Sequence, residues 1–227
     1  MLIGGFQKMT MLDYPGKVAC TVFTYGCNFR CPFCHNATLV IDEAQLFSEE
    51  EILSYINKRK NILDGVCISG GEPLLQPDIF EFIKKIKDLG LLVKLDTNGS
   101  YPERLREAID SGLIDYVAMD IKTCRENYSL VADANVKIED IEKSVSILLE
   151  NKVDYEFRTT VVRELHTKED FVKISSWIKG AKRYFLQCFQ DNENLIGNNL
   201  SAYTTPELTG FLEVLKDNMN EVSLRGV

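Results

Sequence analysis

The stretch GVCISGGEPLLQPDIFEFIKKIKDLGLLVKLD, residues 65–96, carries one complete strand–helix–strand unit. Gly65–Ser69 is a short apolar run with β-branched residues and reads as a strand. Pro77 is well placed at a first helical position. Behind it Ile79, Phe80, Ile83 and Ile86 recur at helical spacing, and Gly90 stops the helix. Leu91–Asp96 is apolar again and reads as the next strand. Two strands joined through a helix by short connections imply parallel pairing with a crossover.

The same unit repeats outward. Upstream, Val18–Thr24 reads as a strand and Ser48–Lys60 as a helix. Ser48 and Glu51 have capping-box spacing there, and Ile52, Tyr55 and Ile56 share one face. Downstream come a helix from Pro102 to about Asp110, a strand Ile114–Asp120, a helix Lys137–Asn151 and a strand Asp154–Val162. A helix Thr167–Lys179, a strand Arg183–Phe189, a helix Pro206–Asn218 and a short final strand Glu221–Leu224 complete the chain. An incomplete (β/α) barrel and a doubly wound sheet both fit six βα repeats. The 227 residues fall short of the roughly 250 of a full eightfold barrel. No linker, low-complexity tract or charge block divides the chain, so one domain over 1–227 is expected.

Composition narrows the function classes. Hydrophobic residues make up 45 %, enough for a core without disulfides. The net charge is −8 and Lys and Arg are scattered, which argues against nucleic acid as the main partner. No run of 18 apolar residues exists to cross a membrane, and the opening MLIGGFQKMTMLDYPGK lacks an apolar run ending in a cleavage site, so a cytoplasmic protein is expected. Seven cysteines, an odd number, without an export signal do not make a disulfide framework. Cys20, Cys67, Cys124 and Cys188 are dispersed, mostly in apolar runs, and are expected to be small buried hydrophobes.

The other three cysteines crowd together after the first strand in Gly26-Cys27-Asn28-Phe29-Arg30-Cys31-Pro32-Phe33-Cys34-His35-Asn36. This C-x3-C-x2-C spacing lets one loop wrap its thiolates around a metal centre, and iron–sulfur clusters are held this way. Three thiolates leave one iron of a cubane open to a ligand. A zinc site of the three cysteines with His35 is the bland alternative, although His35 directly follows Cys34 and no second C-x2-C knuckle exists. A redox pair at Cys31 and Cys34 would leave Cys27 unused.

Three further segments end strands with polar residues, where α/β sheets place ligand contacts. Ser69-Gly70-Gly71-Glu72-Pro73 offers two glycines for close backbone approach, a carboxylate for an ammonium group and a stiffening proline. It reads equally as a simple βα turn. Asp96-Thr97-Asn98-Gly99 reads otherwise as a turn and helix cap, and Met119-Asp120-Ile121-Lys122 as a strand's exit to solvent. Arg158 and Gln187 point to the same end of the sheet, and Arg158 could instead close a structural ion pair.

The cysteine loop resembles the signature of the radical S-adenosylmethionine enzymes, and Gly70–Pro73 resembles that family's GGEP motif. The resemblance implies an incomplete (β/α)6 barrel, a partial TIM barrel with parallel strands. It implies one [4Fe–4S] cluster on Cys27, Cys31 and Cys34, with S-adenosylmethionine chelating the fourth iron through its amino and carboxylate groups. Reductive cleavage would release a 5′-deoxyadenosyl radical. By the same resemblance Phe33 lies near the adenine, the GGEP turn meets the amino group, and Asp96, Asp120 and Lys122 lie near the carboxylate and a bound monovalent cation. Thr97, Asn98 and His35 from these motifs, and Arg158 and Gln187 from their place at the same end of the sheet, complete the expected cofactor contacts.

Cys34-His35-Asn36 and Asp120-x-Lys122 are similar to the glycyl-radical-enzyme activating proteins. Met11–Lys17 and Leu186-Gln187-Cys188-Phe189 look like the branch that activates anaerobic ribonucleoside-triphosphate reductase. That branch implies a glycyl radical enzyme as protein substrate and flavodoxin or ferredoxin as electron donor. No extra C-x2-C pair points to a second cluster, and His166, before a helix, is expected at the surface or as a cap. The rival readings are a radical enzyme with a small-molecule substrate and a zinc-stabilised binding module.

Overall fold

The computed structural model describes residues 1–41, 45–191 and 194–226. Eight strands form one sheet whose spatial order is the chain order: β1 (Ile3–Thr10), β2 (Ala19–Thr24), β3 (Gly65–Gly70), β4 (Leu92–Thr97), β5 (Tyr116–Asp120), β6 (Asp154–Val161), β7 (Arg183–Cys188) and β8 (Glu221–Arg225). Strands β2 to β8 pair in parallel. Strand β1 returns antiparallel along β2, with Ile3 opposite Thr24 and Thr10 opposite Ala19. No ladder joins β1 to β8 among the described residues, so the α/β sheet forms an incomplete barrel.

Helices fill the crossovers: α1 (Glu49–Arg59), α2 (Ile79–Asp88), α3 (Pro102–Asp110), α4 (Tyr128–Ala132), α5 (Ile138–Leu149), α6 (Lys168–Trp177) and α7 (Thr205–Glu213). Each starts where local chemistry demands. The Ser48 hydroxyl accepts from the Glu51 amide at α1. Thr167 and Asp170 close a reciprocal capping box at α6, and Thr204 and Glu207 do so at α7. None of the helices among the described residues is long and apolar enough to cross a membrane.

Strand β3 shows why the parallel reading holds. Gly65 to Ile68 are all buried, as expected for a strand covered on both faces. Helix α2 covers one face with Ile79, Phe82, Ile83 and Ile86, each 0 % exposed. Burying each of these side chains contributes about 1.5–3 kcal/mol. Phe82, not Phe80, supplies the second core position. Phe80 lies at the edge of that face, where its ring receives the Arg104 guanidinium at 4.9 Å.

The hydrophobic pattern missed the short helix α4 and, with more consequence for the sheet, strand β1. Its IGGFQKMT sequence holds two glycines and a Gln-Lys pair, and only Ile3 and Thr10, at its two ends, are buried. It forms because β2 presents a free edge, not because of its own propensity.

Candidate active site

The carboxyl ends of β2 to β7 surround a cavity of about 450 Å³. The thiols of Cys27, Cys31 and Cys34 all line it, together with Phe33 and His35 from the same loop. Gly70 and Gly71 enter from the end of β3, Asp96, Thr97 and Asn98 from β4, and Asp120 and Lys122 from β5. Arg158 reaches in from β6 and Gln187 from β7. Apart from Glu72 and Pro73, the residues singled out in six separate stretches of sequence therefore meet in one place.

Backbone contacts fix the cysteine loop. Cys34 donates its amide to the Cys31 carbonyl at 3.0 Å, and Arg30 donates its own to Ala132 at 2.9 Å. The Arg30 side chain donates to the carbonyls of Cys27 at 2.6 Å and Phe29 at 2.8 Å. Behind the loop, the glycines of the β3 turn meet protein backbone. Gly71 donates to Thr24 and Glu72 donates to Gly26, both at 2.9 Å. A Cβ on Gly71 would stand 1.9 Å from the Gly26 carbonyl oxygen, so glycine is required there. The close approach expected toward a ligand is thus, at Gly71, also an approach to the chain itself. Asn36 ties the two segments again through its Nδ2, which donates to the Gly70 carbonyl at 3.0 Å.

Glu72 and Pro73 are not among the residues that line the cavity. Glu72 is 0 % exposed, and both of its oxygens are engaged. Oε1 accepts from the Leu74 amide at 3.1 Å and the Thr97 hydroxyl at 2.8 Å, and Oε2 accepts from the Asn98 amide at 2.7 Å. Burial outweighs these three donors and raises its pKa to about 7. Glu72 therefore clamps the turn after β3 to the turn after β4.

The inner wall carries a ladder of charge. Arg158 donates from Nε to Asp120 Oδ1 at 3.0 Å and from Nη1 to Asp96 Oδ2 at 3.4 Å. Lys122 donates to Asp120 Oδ2 at 3.0 Å, and Lys94 pairs with Asp96 Oδ1. Burial disfavours the Asp120 carboxylate, yet Arg158 and Lys122 hold its pKa down at about 2. Both aspartates are charged at neutral pH. Lys122 also lies 5.9 Å from the centre of the Phe33 ring.

His166 departs from expectation. It is 0 % exposed, its ring stacks on Phe171 at 6.0 Å, and Nε2 bonds the Lys122 carbonyl at 2.7 Å. It buttresses the segment carrying Lys122 and does not cap α6. Cys20, Cys67 and Cys124 are buried as expected, whereas Cys188 is half-buried and lines the cavity. Thr160 lines it too and was not singled out, and Asp13 and Ser69, quoted within motifs but given no role, line it as well. Alternation along β3 and β6 is the signal that would have found Ser69, two residues beyond Cys67, and Thr160, two beyond Arg158.

The donor set fits an iron–sulfur cluster. Three sulfur donors face one cavity, and soft thiolates suit iron–sulfur centres. Burial raises the Cys27 thiol to about 11 and the Cys31 thiol to about 12, and it raises Cys34 as well. Bare, these groups stay protonated at neutral pH, so a cationic centre would release protons on binding. Cys27 already has outer partners, with its sulfur 3.4 Å from the Phe29 amide and 3.9 Å from Asn98 Nδ2.

Comparison with known proteins agrees with this geometry. A protein of Methanocaldococcus jannaschii, provisionally named a glycyl-radical enzyme activating enzyme, is 35 % identical over 197 residues, covering 85 % of this chain and 81 % of that one. The pyruvate formate-lyase-activating enzyme of Clostridium pasteurianum is 34 % identical over 130 residues, and the match spans about half of each chain (53 % and 52 %). Among solved structures, Streptococcus suis SuiB bound to S-adenosylmethionine shares the fold with a TM-score of 0.71 at 16 % identity, covering 89 % of this chain and 48 % of that one. The Radical SAM superfamily profile matches residues 21–178, from β2 through α6, and this chain belongs to that superfamily.

Proposed function

We propose that the chain is a glycyl-radical-enzyme activating enzyme, with anaerobic ribonucleoside-triphosphate reductase as its protein substrate. The observation that carries the reading is the shared cavity. Three thiols stand in it opposite the charged ends of β4, β5 and β6. Cys27, Cys31 and Cys34 would hold one [4Fe–4S] cluster, and Lys122, Arg158, the Gly70–Gly71 turn and Phe33 would be the groups that receive S-adenosylmethionine in the same cavity. When bound and reduced by flavodoxin or ferredoxin, this pair supplies the 5′-deoxyadenosyl radical that takes a hydrogen atom from a glycine of the partner.

The protein's own part is orientation. The Glu72 clamp fixes two binding turns relative to one another, and the Arg158 ladder fixes the two aspartates. The gap between β1 and β8 gives a peptide loop a way in. Residues 1–227 act as one domain throughout. Similarity of Met11–Lys17 and Leu186–Phe189 to the reductase-activating branch supports the choice of partner.

The test is anaerobic reconstitution with iron and sulfide, reduction, addition of S-adenosylmethionine and assay of 5′-deoxyadenosine. The wild type should form it and Cys31→Ala should not. Co-incubation with the reductase should then produce the electron paramagnetic resonance signal of a glycyl radical on that partner. Deoxyadenosine without a glycyl radical would redirect the reading to a small-molecule substrate. Neither cluster nor product from folded wild type would overturn it.

A further inference from the structure

The charge ladder has one more cation than it has carboxylates. Lys94, Arg158 and Lys122 surround Asp96 and Asp120, and each of the four carboxylate oxygens meets a donor. Asp96 Oδ2 accepts a second bond, from the Ser69 hydroxyl at 3.0 Å. The family resemblance assigns a monovalent cation to these two aspartates, and the arrangement does not fit one. Asp13 also lines the cavity, and Glu156 acts on Arg158 from two residues earlier on β6. Every oxygen of Asp96 and Asp120 already meets a protein donor, so an alkali ion would have to displace one.

Lys94 is what sets the balance. It lies two residues before Asp96 on β4, so both side chains fall on the inner face. It is 1 % exposed. Its other polar neighbour is the Cys67 sulfur at 3.8 Å. A lysine so deeply buried without an anion would give up its proton. Burial does oppose the charge here, but Asp96 beside it keeps the Lys94 pKa above the ordinary value.

We propose that Lys94 is the built-in counter-cation of this site, so that S-adenosylmethionine binds in this protein without an alkali ion between Asp96 and Asp120. The proposal rests on the reading that the cavity binds S-adenosylmethionine. Lys94 acts through Asp96 and is a positioning residue.

Its test uses the reconstituted full chain. S-adenosylmethionine is titrated anaerobically, in buffers where tetramethylammonium replaces sodium and potassium, while the resonance spectrum of the reduced cluster is followed. The wild type should bind equally well in all three salts. Lys94→Met should bind about tenfold more weakly in tetramethylammonium, as expected for a lost charge-assisted contact, and recover in potassium. Lys94→Arg should stay independent of salt. Wild-type affinity that rises with sodium or potassium would overturn the proposal. Thallium(I) soaked into crystals supplies an arm that needs no S-adenosylmethionine. Anomalous density between the two aspartates of the wild type would also overturn it, and density in Lys94→Met alone would support it. Failure to bind S-adenosylmethionine in any salt would count against the cavity reading, and the thallium result would still decide the role of Lys94.

Discussion

Both ends of the barrel bury charge on β6, and they do so to different ends. At the carboxyl end Arg158 stands between two aspartates, with two lysines beyond them, beside an open cavity. Two residues earlier on the same face, Glu156 is 1 % exposed. Its oxygens accept from Arg225 at 2.6 and 2.8 Å and from the Tyr116 hydroxyl at 2.7 Å. Arg183 completes that lower group by donating to Asp154 at 3.0 Å, and the Tyr14 ring lies 6.0 Å from the Tyr116 ring. Below, donors match acceptors and the network anchors β8. Above, two of the cations, Lys122 and Arg158, face a cavity. The same strand carries a fastening and a binding surface, distinguished by what the charges face and not by residue type.

Substitutions at the two ends should therefore separate chemistry from stability. The largest effect is expected from Gly71→Ala at the upper end. The added methyl would meet the Gly26 carbonyl at 1.9 Å, forcing the cysteine loop away from the β3 turn. A loss above about 4 kcal/mol in urea unfolding, beyond ordinary single substitutions, should accompany poor cluster reconstitution. Normal iron content in a stable variant would show that the two turns are not coupled.

Glu72 sharpens the comparison through pH. Its folded pKa of about 7 lies above its ordinary 4.5, so the folded chain holds a proton that the unfolded chain has lost between those values. Stability should fall as pH rises through that window. Glu72→Gln carries no such titration. The stability difference between variant and wild type should move in favour of the variant by about 3 kcal/mol across the window. A difference that stays flat from pH 4.5 to 8 would mean that the ionised Glu72 is fully accommodated.

At the lower end, Arg225→Ala would leave Glu156 buried beside a single hydroxyl. About 2 kcal/mol of stability should be lost, less than for a fully buried pair because Arg225 reaches solvent. Deoxyadenosine formation per cluster should be unchanged at a temperature where the variant is folded, and a fall in that rate would erase the division between the ends. The smallest effect is expected at Asn36→Ala, which removes one neutral bond to the Gly70 carbonyl. It should lower stability by about 1 kcal/mol and weaken S-adenosylmethionine binding only a few-fold.

The division also marks what could be read without coordinates. The parallel strands announce themselves as apolar runs ending in polar motifs, and every residue named at the upper rim lies near the end of such a run. Glu72, Lys94 and His166 resisted reading for one reason. A charged or titratable side chain has two outcomes, exit to solvent or a buried partner, and the partner comes from a distant segment. Thr97 and Asn98 decide Glu72, Asp96 decides Lys94, and the Lys122 carbonyl decides His166. The period-two spacing of Lys94 and Asp96 was the one local clue. Strand β1 was hidden differently, because its stability is borrowed from the edge of β2.

The sheet order, identical to the chain order, bears on how the protein is made. Each strand leaving the ribosome finds its neighbour already made, and the longest connection to close is the one from β2 to β3, which carries the cysteine loop and α1. The cysteine loop, near the amino terminus, can settle against β3 while β6 to β8 are still being synthesised. During that interval the thiols face an unfinished wall. A nascent chain would therefore leave the cluster loop open to an assembly factor until β6 and β7 complete the wall of the cavity.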